Sequence, residues 1–135
     1  MTSVEKVDGY LEKAAVFFLA TVDGDQPKCR PMGFHMLVDE QIYFCVGDFK
    51  DVYTQMVANP KVEIVACTGA EWMRLRGTAV FDSSPTLVNM AVQVLPGLAN
   101  IYNELTGYAM KIFHLENATA EFRSMMQIGE TVTFG

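Results

Sequence analysis

The sequence predicts a mainly β chain of the α+β class: a small antiparallel barrel with helices on its periphery. Three observations point there. Apolar runs of strand length recur about six times, against three or four stretches of helical spacing. Tight-turn residues, not long crossovers, join successive strand runs, and short connections force neighbours to be antiparallel. Neither a strand–helix–strand rhythm nor a glycine-rich dinucleotide fingerprint appears. A sheet of this kind is best closed on itself, which removes exposed edges.

The first element is a helix over residues 4–15, where Val4, Val7, Leu11 and Ala14 or Ala15 keep roughly helical spacing. Residues 16–22 form a buried strand by composition and length. Asp23-Gly24-Asp25 is a hairpin turn, because glycine takes the positive φ such turns need. Residues 26–36 return as a strand interrupted by Pro31 and Gly33. Proline removes a ladder donor and glycine admits a close neighbour, so this strand is an edge, a bulge or a surface along which a ligand lies. Residues 38–41 make a second tight turn.

Residues 41–65 organise the middle of the chain. Gln41 to Gly47 is a strand rich in aromatic and β-branched residues. Asp48 is expected to cap a helix with its carboxylate. Phe49, Val52, Tyr53, Met56 and Val57 then fall on one helical face. Asn59-Pro60 stops the helix, since proline disfavours α geometry in the residue before it. Val62 begins the next strand. Lys50 lies off the apolar face in the first helical turn, either as a solvated surface lysine or as a phosphate ligand beside free backbone N–H groups.

Thr68-Gly69-Ala70 turns into a strand over 71–81, with Trp72, Arg74 and Arg76 on one face and Met73 and Leu75 on the other. That charged and aromatic face is either a wet surface or one that meets an anionic aromatic ligand. Ser84 and Pro85 open a helix running to about Gln93. Leu95-Pro96-Gly97 ends it, and a short helix over 98–105 is expected next. Residues 109–123 form a long strand, followed by a tail with a last short strand at 131–134.

At 135 residues the chain reads as one domain with a real core, and half of its residues are hydrophobic. No apolar run reaches the roughly 18 residues of a membrane helix, and the N-terminus is too polar for a secretory signal. Cys29, Cys45 and Cys67 are odd in number and lie in apolar or strand-like runs. They argue against a disulfide framework or a zinc spacing, and for a reducing cytoplasm. A net charge of −6 argues against nucleic acid as the main partner. Yet Lys28, Arg30, Lys50, Lys61, Arg74 and Arg76 are six of the ten basic residues, so a local anion site is open. His35 and His114, the two histidines, do not form a metal triad with the visible carboxylates. No nucleophile–base order or paired-carboxylate motif stands out, and no catalytic residue is assigned.

In order along the chain stand Ala20–Gly24, Arg30–Phe34, Ile42–Cys45, Lys50–Tyr53 with Gln55, Asn59–Ile64 and Trp72–Ala79. This ordered set resembles the flavin-binding split barrel of the pyridoxamine 5'-phosphate oxidase-like superfamily over residues 4–123. The resemblance implies a six-stranded antiparallel split β-barrel with peripheral helices. It also implies a homodimer that holds two flavin mononucleotides (FMN) in grooves between subunits.

The cofactor-binding residues it implies are Arg30, Pro31, Met32, Gly33, Val46, Gly47, Lys50, Trp72 and Arg74. The strand from Arg30 would run along the flavin, with Arg30 reaching the phosphate or the pyrimidine edge and Lys50 neutralising the phosphate. Trp72, with Arg74, would come from the partner subunit and cover the ring. Relatives often carry hydroxyl and amide side chains where this chain has Val46, Gly47 and Asp48, so Asp48 places a like charge near the phosphate. The implied activity is flavin-dependent oxidation or reduction of a small molecule. The alternatives are flavin binding without turnover, or a deazaflavin or haem in the same groove. The tail lacks the Arg-rich substrate segment of true pyridoxamine phosphate oxidases, which argues against that specific reaction.

Overall fold

The computed structural model describes all residues from Met1 to Gly135. It contains strands β1 (Phe17–Asp23), β2 (Gln26–Met32), β3 (Met36–Val38), β4 (Gln41–Gly47), β5 (Lys61–Thr68), β6 (Glu71–Phe81), β7 (Met110–Ser124) and β8 (Ile128–Phe134). The helices are α1 (Ser3–Ala14), α2 (Asp51–Ala58) and α3 (Pro85–Val94), with a 3-10 turn at Pro96–Asn100. The strands form one sheet in the order β2-β1-β5-β6-β7-β4-β3, with β8 added to β7, and every pairing is antiparallel.

The antiparallel split-barrel class is therefore as expected, but there are eight strands, not six. The strand expected over 26–36 ends at Met32 and resumes as the separate β3, and the tail pairs with β7 from Ile128 onward. No helix is long and apolar enough to cross a membrane.

Turn chemistry sets the hairpins. The β1–β2 turn has two residues, with Gly24 at φ +64°. In the β3–β4 turn Asp39 and Glu40 both adopt positive φ, 49° and 62°, the type I′ geometry that matches strand twist. The Asp23/Gln26 pair flanks the first turn, and an antiparallel ladder alternates from there. Positions 27, 29 and 31 of β2 therefore point their backbone groups away from β1. Two of the three are prolines, Pro27 and Pro31, which have no N–H to offer. This is how an edge strand avoids pairing with other chains.

The barrel interior is filled from β1, β4, β5, β6 and β7, with Phe17, Phe44 and Phe113 among its largest buried side chains. Burying each such ring stabilises the fold by about 1.5–3 kcal/mol. Helix α1 contributes Val4, Val7 and Leu11 to this core, and α2 contributes Val52 and Met56. Helix α1 starts at Thr2, whose hydroxyl accepts from Glu5 N while the Glu5 carboxylate accepts from Thr2 N, a reciprocal capping box.

A second cluster lies outside the barrel. There Leu87 and Ala91 of α3 cover Met36, Met110 and Ile112. Strand β7 is accordingly buried on both faces at its start, with Ile112 turned to α3 and Phe113 to the barrel.

Two further expectations are corrected. Asp48 does not cap α2: the helix begins at Asp51, Lys50 occupies the N-cap position, and no side chain caps it. Of the expected apolar face, Val52 and Met56 are buried, whereas Phe49 and Val57 are 42% and 61% exposed. The short helix expected over 98–105 is instead the 3-10 turn Pro96–Asn100 followed by irregular turns. There the Asn103 side chain donates to Ala99 O and Asn100 O, and the Thr106 hydroxyl donates to Ile101 O. Local side-chain bonds of this kind compete with helical ones.

Candidate functional site

The barrel is split where β2, one edge of the sheet, approaches β4 near the other edge. A groove of about 560 Å³ lies in this seam. Its floor is apolar, from buried Leu19, Val46 and Val52, and its walls include Met32, Phe34 and Ile101. Arg30, Pro31, Met32 and Gly33 line one side, and Val46, Gly47 and Lys50 the other. Seven of the nine residues singled out from the sequence thus meet in one groove.

Trp72 and Arg74 do not. They lie on the outer face of β6, opposite Cys67 and Val65 of β5. Arg74 Nε is buried without a hydrogen bond, 3.7 Å from Glu63 Oε2. Trp72 instead lines a separate pocket with Arg123 and Met126.

The Arg30 side chain is largely committed within its own subunit. One terminal nitrogen donates to Leu19 O at 3.2 Å and Thr21 Oγ1 at 2.6 Å, and the other to Gln55 Oε1 at 2.8 Å. The Thr21 hydroxyl itself donates to Gln55 Oε1 at 2.6 Å. Thr21 and Gln55 are the two buried polar residues of the fold. Burial pulls the Arg30 guanidinium below its ordinary value, while Cys29 and Asp51 act in the opposite sense. This network ties β2, β1 and α2 together at the groove, and makes Arg30 part of its wall. Lys50, by contrast, is exposed, has no carboxylate partner and rests 5.1 Å from the Phe49 ring centroid.

Gly47 stands where two aromatic side chains converge. A Cβ there would lie 2.7 Å from Phe49 Cε1 and 3.0 Å from Tyr102 Oη. Phe49 in turn stacks on Tyr108, with centroids 3.8 Å apart. Burial pushes the Tyr102 phenol up to about 12, with Cys45 and Asp48 adding to the shift. Burial likewise pushes the Cys45 thiol up to about 11, so it stays an uncharged packing residue.

The histidines lie elsewhere. His35 Nδ1 is 2.7 Å from Asp8 Oδ1, and its Nε2 is 2.9 Å from Glu12 Oε2, so it joins α1 to the chain just before β3. His114 packs edge-on against Tyr43, and its Nδ1 is buried without a partner.

Sequence reasoning gave no site role to Thr21 or Gln55, although both stand in the ordered set that carries the resemblance, and it missed Tyr102. Thr21 had a signal, since it continues the inward alternation of Phe17 and Leu19. Gln55 had one too, lying beside Met56 on the apolar side of its helix. Tyr102 had none, because it reaches the groove from an irregular segment.

The family model described as pyridoxamine 5'-phosphate oxidase matches residues 3–110. None of the curated proteins matches the chain. Among solved structures, a NimC/NimA family protein of Clostridium acetobutylicum is 27% identical. It superposes with a TM-score of 0.88 over 99% of this chain and 95% of its own. A pyridoxamine 5'-phosphate oxidase-related, FMN-binding protein of Nostoc punctiforme is 15% identical, with a TM-score of 0.64 over 100% of this chain and 98% of its own. A heme-binding protein of Mycobacterium smegmatis is 16% identical, with a TM-score of 0.71 over 98% of this chain and 58% of its own. These two share the fold. With the family model spanning most of its length, this chain belongs to the pyridoxamine 5'-phosphate oxidase family.

Proposed function

We propose that the groove binds flavin mononucleotide and that the protein is a flavin-dependent oxidoreductase acting on a small molecule, working as a homodimer. The observation that carries this reading is Lys50: a cation without a carboxylate partner, at an apolar groove whose other wall is a sheet edge. The groove lies within the roughly 300–1,000 Å³ typical of cofactor sites. Its residues suit the group: Met32, Val46 and Ile101 offer apolar contact to a ring, and Lys50 offers charge to a phosphate. The outward carbonyls of β2 and the single outward N–H, at Cys29, offer hydrogen bonds to the polar edge of a ring. When bound, the flavin supplies the redox chemistry, while the chain binds, orients and shields it.

The homodimer reading rests on Trp72 and Arg74. A row of residues runs across the outer face from Pro31 at the groove through Phe18 and Val65 to Arg74. Phe18 is 41% exposed there and Val16, two residues before it, 52%. A second subunit seated on this face would bring its own Trp72 toward the groove. Such an interface should exceed about 2,000 Å².

Purified protein should show flavin absorbance at about 375 and 450 nm; a band at about 420 nm alone would indicate deazaflavin, and a sharp Soret band haem. Lys50→Ala should weaken FMN by about 1.5–3 kcal/mol, the scale of a hydrogen bond to a charged group, and leave riboflavin nearly unchanged. Equal losses for both ligands would remove Lys50 from the phosphate site. Flavin-dependent NAD(P)H consumption with an acceptor would separate an enzyme from a binding protein, and a monomer by sedimentation at micromolar concentration would exclude the shared groove.

A further inference from the structure

Strand β4 reaches the groove with Cys45, Val46 and Gly47, among which the Cys45 thiol is the one side-chain donor, and a weak one. A phosphate bound beside Lys50 therefore needs a second donor from elsewhere in the chain. The irregular segment after the 3-10 turn brings one. Tyr102 lines the groove together with Gly47 and Lys50, and its hydroxyl lies over Gly47, 3.0 Å from where a Cβ would stand. Gly47 O also accepts from Lys50 N at 3.1 Å. This closes a tight turn that sets the base of the lysine side chain beside Gly47, over which the hydroxyl lies.

We propose that Tyr102 binds ligand: its hydroxyl and the Lys50 ammonium form a two-point receptor for the flavin phosphate. The inference rests on the flavin reading above and adds to it the residue that would distinguish a phosphorylated flavin from an unphosphorylated one. Three observations support it.

The Tyr102 hydroxyl makes no hydrogen bond to any protein group, unlike that of Tyr10, which is 2.6 Å from Thr68 Oγ1. A phenol is protonated throughout the neutral range and burial only raises this one further, so it stays a donor to an anion. Its position is also prepared before any ligand arrives. The Tyr102 ring packs against the cluster under α3, Thr106 and Asn103 bond the surrounding backbone, and Asp48 binds Ala109 at the segment's far end. A donor held in place in this way loses little freedom on binding. Gly47 then has a definite role, because a Cβ there would crowd Phe49 at 2.7 Å and the hydroxyl at 3.0 Å.

The test compares FMN and riboflavin by fluorescence titration on the full chain, in the parent and in Tyr102→Phe, which keeps the ring and its packing. The expected result is an FMN dissociation constant raised about tenfold, the scale of one hydrogen bond to a charged group. Riboflavin should change less than about twofold. Gly47→Ala, which retains the phenol but crowds both it and Phe49, should give an FMN-selective loss too. Equal loss of both ligands, loss of riboflavin alone, or no loss of either in Tyr102→Phe would overturn the proposal. A parent that binds FMN and riboflavin equally would overturn it while leaving the flavin groove intact. A parent that binds neither would overturn the flavin reading and this inference with it.

Discussion

Asp48 and Ala109 hold each other by two hydrogen bonds. Asp48 N donates to Ala109 O at 3.0 Å, and Ala109 N donates to Asp48 Oδ1 at 2.9 Å. The pair extends the β4–β7 ladder by one step past Gly47/Met110, using a side chain where the strand ends. The carboxylate is thus engaged at the start of β7 and not at a helix N-terminus. Asp48→Ala should lower stability by about 1 kcal/mol, the net worth of an ordinary hydrogen bond. Asp48→Asn keeps an acceptor oxygen and should lose less, while FMN affinity at low and high salt reads whether the charge, which also acts on Tyr102, reaches the phosphate. Urea midpoints and flavin titrations at two salt concentrations measure both effects, and tighter FMN binding by the Asn variant at low salt alone would place the charge beside the phosphate after all.

Gln55 is the acceptor on which Thr21 and Arg30 both depend. Gln55→Ala should cost about 1–3 kcal/mol, because it strands a buried hydroxyl and part of a guanidinium. Gln55→Glu retains the acceptor beside a cation and should cost less. If Arg30 is a wall residue, Gln55→Ala should weaken FMN and riboflavin alike. Thermal melts paired with titrations of both ligands test this, and an unchanged melting temperature would show that the network contributes nothing to the fold.

Alkaline pH should destabilise the protein through two half-buried phenols. Burial, chiefly, raises Tyr102 to about 12 and also raises Tyr43, with Asp82 and Asp39 adding to the latter. The unfolded chain gives up these protons near pH ~10 while the folded chain keeps them. The unfolded state then binds fewer protons, so stability falls as pH rises from about 10 to about 12 and is full below that range. Tyr102→Phe should flatten part of this slope. Urea denaturation at a series of pH values measures it, and an identical slope in parent and variant would contradict it.

His35 should matter more to the fold than either carboxylate alone, and Asp8 more than Glu12. The His35 side chain is 7% exposed, that of Asp8 22% and that of Glu12 79%. An exposed pair contributes about 0–1 kcal/mol, so Glu12→Ala should be nearly silent. His35→Ala removes both contacts and the edge-on packing against Phe17, 6.1 Å between centroids, and should cost about 1–3 kcal/mol. Hydrogen exchange of α1 amides should accelerate in the His35 variant and not in the Glu12 variant. Unchanged α1 exchange on loss of His35 would show that the helix is held by Val7 and Leu11 alone.

The sequence by itself determined the class of this fold and most of its elements, because those depend on neighbours along the chain. Alternation marked the β6 faces, Gly24 and the Asp39–Glu40 pair marked hairpins, and Ser84 with Pro85 marked the start of α3. Pro31 and Gly33 pointed to an edge, a bulge or a surface for a ligand, and the sheet order makes β2 an edge, with no outward N–H at Pro31. Tertiary structure decided what local pattern could not. Asp48 is as good a helix cap as any aspartate, but Ala109, far along the chain, offers its N–H at the right distance and takes the carboxylate. Arg30 looked free for a ligand until Thr21 and Gln55, on two other elements, closed around it. Tyr102 left no periodic trace, since an irregular segment is positioned by the packing beneath it. Contacts between residues distant in sequence form only when the barrel closes, and at its seam those contacts settle which side chains face the groove.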